Sequence, residues 1–110
     1  MKLFTTVLTF GATPVKIVAA NCSPVAYAEV LGAVSWFSVT SLAANTHACY
    51  IGTSAITNDA SGTGVLTQLP SPVAGVVAGW QMQLEHPIDI TQLYFHGFTG
   101  EKVVVGFVTD

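Results

Sequence analysis

Apolar and polar residues alternate along much of the chain with a period of two, which is the period of a β-strand. The clearest alternation lies in the segment VVAGWQMQL, where Trp80, Met82 and Leu84 point one way and Gln81 and Gln83 point the other. The N-terminal segment KLFTTVLTF alternates in the same manner, with odd-numbered residues on one face and even-numbered residues on the other. These patterns predict strands that each turn one face toward a core.

Turn-forming residues separate the alternating segments, and few residues favour helices. The 10 glycines, the 5 prolines and the abundant β-branched residues indicate about seven to nine short strands. The segment 25–42 is long enough for one or two strands with a bend or bulge at Gly32, although its portion AYAEVLGA also tolerates a helical turn. Strands are predicted within residues 2–10, 15–19, 25–42, 47–52, 53–57, 65–69, 76–84, 86–97 (two short pieces) and 101–109.

The stretch HACYIGTSAITND, residues 47–59, contains a histidine, a cysteine, a serine and an aspartate. Cys49 and Ile51 share one face of the predicted strand, and Tyr50 and Gly52 share the other, so small and apolar residues fill both faces. We therefore interpret this stretch as structural scaffold.

The chain is long enough for one domain, and no repeat, linker or low-complexity run divides it. We predict an all-β fold in which residues 1–110 form a single-domain antiparallel β-sandwich or a small, jelly-roll-like β-barrel.

The composition adds a prediction of assembly, because 51% of the residues are hydrophobic and only 8% are charged. A typical soluble domain carries about 25% charged residues, so this chain has little charge with which to cover a free monomer. Apolar surface shared between subunits would relieve that shortage. We expect a homo-oligomer.

Two classes of partner are disfavoured by the same composition. The chain has no arginine and only three lysines, which cannot form the basic surface that nucleic-acid binding requires. No apolar run approaches the ~20 residues of a membrane-spanning helix. The N-terminus imitates a signal peptide, but Pro14, Lys16 and four threonines interrupt its apolar stretch, so a pair of strands is the preferred interpretation.

The candidate chemistry is sparse. The sequence contains serine, histidine and aspartate residues that could form a catalytic triad, but it has no nucleophile-elbow motif. We therefore predict that the protein is not an enzyme. Metal ligands lack the short paired spacing of zinc sites, and no cofactor is expected. The residues of the possible catalytic set are Ser54, His47, His86, His96, Asp59 and Asp89.

Other polar and aromatic residues also receive structural interpretations. Cys22 and Cys49 are expected to be reduced thiols, and Glu29 and Glu85 are too far apart in sequence to indicate a glycosidase pair. The loop SGTG, residues 61–64, lacks the features of a phosphate-binding loop. The aromatic residues are expected in the core or an interface rather than in a ligand groove; they are Trp36, Phe37, Trp80, Tyr94, Phe95 and Phe98.

Three segments together resemble a known group of proteins. TPVKIVAANC, CYIGTSAIT and IDITQLYFHGFTGEKVVVGFV are similar, in this order, to the pattern of small virion proteins of tailed bacteriophages, a group that includes capsid decoration (cement) proteins. The matching positions are Val15 to Asn21, Tyr50 to Thr57, Ile88 to Phe95 and Gly100 to Val108.

The resemblance implies a non-enzymatic protein, made in the host cytoplasm, that binds the lattice of the major capsid protein on the outer surface of the head. It also implies a symmetric oligomer, with a homotrimer favoured. A tail, neck or fibre component remains an alternative within the same group. A small-ligand or carbohydrate-binding β-domain is an alternative from a different class.

Overall fold

A computed structural model describes residues 2–57, 61–72 and 77–109. The strands form two antiparallel sheets, and the prediction of an all-β antiparallel fold is confirmed. The two sheets share one hydrophobic core, as in a β-sandwich. The elements are β1 (Lys2–Thr9), a 3₁₀ turn (Ala19–Asn21), α1 (Ala28–Leu31), β2 (Val34–Ser41), β3 (Cys49–Gly52), β4 (Val65–Leu69), β5 (Gly79–Ile88), a second 3₁₀ turn (Ile90–Gln92), β6 (Tyr94–His96) and β7 (Lys102–Thr109).

The larger sheet has the strand order β1-β7-β2-β5, and the smaller sheet has the order β4-β3-β6. The last strand, β7, therefore lies between β1 and β2 and pairs with both along nearly its whole length. Its interior position is compatible with its sequence, because KVVVGFVT contains no proline and can therefore pair along both edges.

The core lies between the inner faces of the two sheets. One cross-strand row of the four-stranded sheet brings together Phe4, Phe107 and Phe37, and the first two rings stack with centroids 5.3 Å apart. Ile51 of β3 and Phe95 of β6 are fully buried on the inner face of the smaller sheet. Burying such side chains contributes roughly 1.5–3 kcal/mol each, and this packing is what holds the sheets together.

The predicted strand over residues 15–19 is wrong. Val15 makes only an isolated bridge to Phe95 of β6, after which the chain enters the first 3₁₀ turn. Ser23 then pairs with Thr5 of β1 through two backbone hydrogen bonds of 2.9 and 2.7 Å. Because the segment crosses from one sheet to the other, it cannot lie along either sheet as a regular strand.

The region 25–42 contains the helical turn that its sequence tolerates, followed by the single strand β2. Gly32 ends α1, where its N–H donates to the carbonyl of Glu29 at 3.3 Å. The irregularity in the sheet lies between Val34 and Trp36, not at Gly32.

The predicted strand over residues 53–57 is also wrong, because the chain turns there. The N–H of Ile56 donates to the carbonyl of Thr53 at 3.1 Å, and Ile56 folds back into a buried position. A side chain at Gly52 would place a Cβ 1.9 Å from the carbonyl oxygen of Gly64, so only glycine fits where these two backbone segments meet.

Several other predicted elements agree with the structure. Strand β4 spans residues 65–69 as predicted, and β1 buries its even-numbered residues while exposing the odd-numbered ones. Strand β5 continues through residues 86–88 beyond its predicted end. Asp89 then caps the second 3₁₀ turn by accepting a hydrogen bond from the N–H of Thr91 at 2.9 Å.

Candidate functional site: the outer face of the four-stranded sheet

The outward side chains of the four-stranded sheet form three adjacent cross-strand rows, which we call the outer face. Directly paired residues on antiparallel strands share a face, so the register fixes these rows. In order β1, β7, β2, β5 they are Leu3, Val108, Trp36 and Gln83; Thr5, Gly106, Ser38 and Gln81; and Val7, Val104, Thr40 and Gly79.

None of these residues is charged, and five of them have apolar side chains that are at least partly exposed. Leu3 is 60% exposed and Val7 is 54% exposed. Val104, Val108 and Trp36 are partly exposed beside them. Contiguous apolar surface of this kind commonly marks an interaction site on a folded protein.

The middle row is built from small side chains, which leaves the outer face shallow at its centre. Gly106 carries no side chain, and a Cβ placed there would contact the hydroxyl of Ser38 at 3.4 Å. An open hollow of about 310 Å³ lies toward β5, lined by Ser38, Thr40, Gly79, Trp80 and Gln81. The outer face therefore offers an apolar half on β1 and β7 and a hydroxyl- and amide-bearing half on β2 and β5.

The sequence carries a signal for this face. The segment VVVGFV places valines on both sides of β7, and Leu3 and Val7 repeat this on β1. Such strands are commonly covered on both faces, so the apolar outer side of β7 indicates a contact surface. Sequence patterns alone do not show which apolar face closes the core, so the exposed set becomes visible only in the folded chain.

A second polar region, which we call the Glu101 corner, joins the loop after β2 to the turn before β7. The carboxylate of Glu101 accepts hydrogen bonds from the N–H and hydroxyl of Thr46 at 2.6 and 2.9 Å and from the N–H of His47 at 3.1 Å. Asn45 adds two hydrogen bonds to this corner. Its side-chain amide donates to the backbone carbonyl of Lys102 at 2.7 Å and accepts from the backbone N–H of Lys102 at 3.1 Å.

The charges of this corner follow from those contacts. Burial opposes ionisation of Glu101, but the hydrogen bonds from Thr46 and His47 outweigh it, so the pKa of this carboxyl lies below its ordinary value. The ring of His47 stacks on that of Phe98, with centroids 3.8 Å apart and planes 3° apart. The hydrogen bonds of Glu101 and Asn45 therefore hold the loop after β2 against the turn before β7.

The members of the possible catalytic set that the structure describes are not brought together as a hydrogen-bonded triad. Ser54 is exposed in the turn after β3, and in the part of the chain described here no hydrogen bond joins it to a histidine. The carboxylate of Asp89 accepts hydrogen bonds from both the N–H and the hydroxyl of Thr91, so its role is to cap the second 3₁₀ turn. His96 is buried with an unpartnered Nδ1, whereas His86 is exposed, and Asp59 lies outside the described residues.

Both cysteines are free and buried, in agreement with the expectation of reduced thiols. Burial, with a smaller effect from the charge of Glu101, raises the pKa of Cys49 to about 12. Burial also raises the pKa of Cys22. Because the thiolate is the nucleophilic form, neither thiol is activated at neutral pH.

The structure also describes the two glutamates of the glycosidase interpretation and the potential metal ligands. Glu29 follows the start of α1 and Glu85 lies near the end of β5, on separate elements. Among residues 2–57, 61–72 and 77–109, no group of three or more His, Cys, Asp and Glu side chains is placed to hold a metal ion.

The aromatic residues divide between core and surface. Phe37 and Phe95 lie in the core, and Trp80 packs edge-on against Phe37 with centroids 5.3 Å apart. Trp36 lies on the outer face, and Phe98 is 49% exposed beneath His47. Tyr94 is partly exposed on the smaller sheet, with the ammonium of Lys16 5.9 Å from its ring centroid.

No family model matches this chain, and no curated protein or solved structure matches it either. Within the described residues, no helix has both the length and the apolar character needed to cross a bilayer.

Proposed function

We propose that this chain is a structural protein of a tailed-bacteriophage virion, a capsid decoration protein that binds the outer surface of the major capsid protein lattice and stabilises the head. The observation that carries the proposal is the uncharged, apolar outer face. The resemblance of three sequence segments to small virion proteins supplies the identity of the partner.

Binding through the outer face has a clear physical basis. Burial of apolar surface contributes roughly 25 cal/mol per Å², and the exposed Leu3 and Val7 lose water when they contact a partner. Trp36 is the kind of large side chain that dominates the energy of protein interfaces. A protein that binds the assembled lattice but not free capsid subunits stabilises the lattice by mass action.

The capsid-bound unit in this proposal is a homo-oligomer, for which the resemblance implies three copies. Several weak contacts made at once by one oligomer combine into firm attachment, since each bound subunit raises the effective concentration of the next. The low charge of the chain supports assembly, because obligate interfaces are depleted in charged residues.

The test adds the purified protein back to heads that lack it and measures decoration and the melting temperature of the particles. We expect binding to saturate and the heads to melt at a higher temperature. Leu3→Lys should abolish both effects, whereas Leu66→Lys on β4 is a matched control, because Leu3 is 60% exposed and Leu66 is 59% exposed. Equal loss of binding in both variants would remove the outer face from the proposal.

The copy number per virion separates the head from the tail. A decoration protein should be present in numbers close to those of the local symmetry axes of the capsid. If the protein is found in a few copies at the tail, neck or fibres, and added protein neither decorates heads nor shifts their melting, the tail-component alternative replaces this proposal.

The hollow on β2 and β5 supports a second candidate, binding of a neutral carbohydrate. Hydroxyl and amide groups from Ser38, Thr40 and Gln81 line it, and these groups recognise sugar hydroxyls without any charge. Calorimetric titration with neutral oligosaccharides tests this candidate, and Gln81→Ala should weaken any binding that takes place in the hollow.

A further inference from the structure

The four edges of the two sheets differ in how they are covered. Ser23 pairs with Thr5 along the edge of β1, and Val15 pairs with Phe95 along the edge of β6. Among the described residues, no segment pairs with the outer edges of β4 or β5. β4 has 5 residues, whereas β5 has 10 and is the longest strand, so β5 presents the larger open edge.

The register shows which backbone groups of β5 point away from the sheet. The N–H of Ser41 donates to the carbonyl of Ala78 at 2.9 Å, which makes this residue pair a hydrogen-bonded one. Hydrogen-bonded pairs recur at every second position of an antiparallel ladder, so Trp80 and Met82 direct their N–H and C=O groups toward β2. The groups of Gly79, Gln81 and Gln83 therefore point outward from the sheet.

This edge lacks the usual protection against pairing. Natural edge strands are commonly blocked by lysine, proline, bulges or short length. Over residues 79–83 the edge contains no charge, no proline and no bulge; the blocking features of β5, namely Glu85, Pro87 and the shift in register with β2, all lie between Gln83 and Ile88. Trp80 and Met82 reach this edge from the core and remain only partly buried.

We infer that the edge of β5 pairs with β5 of a second copy of this chain, antiparallel and about a two-fold axis at Gln81. In this register Gln81 lies opposite Gln81 of the second copy, and Gly79 lies opposite Gln83 in both directions. These are the residues with outward backbone groups, so each pair exchanges two N–H···O=C hydrogen bonds.

The side chains are compatible with the same register. On the inner side, Trp80 lies opposite Met82 of the second copy, and the two cores become continuous across the axis. On the outer side, the glutamine pair at the axis contains no charge. The two four-stranded sheets become one continuous sheet, and their outer faces lie on the same side of it.

This dimer does not depend on the capsid-binding proposal, because its contacts are made between two copies of the chain alone. It replaces the three-fold assembly that the resemblance implies with a two-fold one. An isologous contact of this kind closes on itself at two copies, so it predicts a dimer and not an open fibre.

The experiment measures the mass of the purified full chain in solution by light scattering during gel filtration. We expect twice the 11.5 kDa of one chain at high micromolar concentration. Q81K and Q81E each place like charges directly opposite at the axis, and each should raise the dissociation constant by on the order of tenfold. A mixture of equal amounts of Q81K and Q81E should recover the dimer, because the axis then pairs opposite charges.

Q68K on β4 is the matched control, since Gln68 is an exposed glutamine on the other open edge. It should leave the dimer intact, and circular dichroism should show that all the variants keep the fold. A monomer, a trimer, or Q81K and Q81E variants that do not recover on mixing would each overturn the two-fold pairing. None of these results alters the head-binding test, so failure of the two proposals is distinguishable.

Discussion

The two faces of β7 carry similar apolar residues but meet different surroundings. Val105 and Phe107 point inward from β7 and are fully buried, whereas Val104 and Val108 alternate with them on the outer face and stay in partial contact with water. The inner face packs against the smaller sheet, which shields it from water. The outer face also carries apolar residues on β1 and β7, and no second sheet of the described residues covers it, so part of the 51% hydrophobic content of the chain is left for a partner.

The most severe test of this comparison removes β7 altogether. A chain that ends at Glu101 loses the strand between β1 and β2, together with the inner residues Val103, Val105 and Phe107. We expect the truncated chain not to fold, because two neighbouring strands lose their backbone partners at once. The measurement is a thermal melt followed by circular dichroism, and a soluble product with an unchanged cooperative melt would show that β7 is dispensable.

Single truncations of side chains on β7 should separate the two faces. Phe107→Ala removes a fully buried ring that stacks on Phe4, and we expect the free energy of unfolding to fall by about 3–5 kcal/mol. Val108→Ala on the outer face should cost about 1 kcal/mol or less. Urea unfolding of both variants measures these values, and equal losses would contradict the assignment of inner and outer faces.

Adjacent valines allow the same substitution on both faces. Val105→Thr buries a hydroxyl among apolar groups and should lower the free energy of unfolding by about 1–3 kcal/mol. Val104→Thr places the same hydroxyl on the outer face, where water can reach it, and should change stability by no more than about 0.5 kcal/mol. A large loss in the second variant would show that the outer face is covered within one chain.

A modest loss of stability is expected at the Glu101 corner, where hydrogen bonds to one carboxylate join two loops. Glu101→Gln keeps the shape of the side chain but removes its charge and replaces one accepting oxygen with an NH₂ group that cannot accept, and we expect a loss of about 1 kcal/mol at neutral pH. The folded-state pKa of Glu101 lies below its unfolded value, so this stabilisation is present above the unfolded pKa and is lost as the pH falls through the folded pKa.

The stability of Glu101→Gln and the original chain should therefore converge in acid. Hydrogen bonds from the hydroxyl and the N–H of Thr91 lower the pKa of Asp89, which contributes in the same direction in both proteins and cancels in the comparison. Urea unfolding over a pH series measures the difference, and a gap that stays constant in acid would exclude the carboxylate as its source.

The sequence by itself located several strands, because successive residues of a strand point to opposite faces. The segments of β1, β4 and β7 were predicted at or near their observed bounds, whereas β5 was predicted over residues 76–84 and spans Gly79–Ile88. Of the residues in the possible catalytic set, Ser54 lies in the turn after β3 and Asp89 caps the second 3₁₀ turn.

Only the tertiary structure decided which apolar face closes the core and which remains open. Residues 15–19 have strand-like composition, yet they cross between two sheets, and residues 53–57 turn because the backbone of Gly64 closes on Gly52. The outer face and the open edge of β5 depend equally on strand order, which places β7 inside the sheet and β5 at its border. The local sequence pattern predicts which side chains share a face of a strand. The long-range pairing of strands determines whether each face and each backbone edge contacts the core, another strand or solvent.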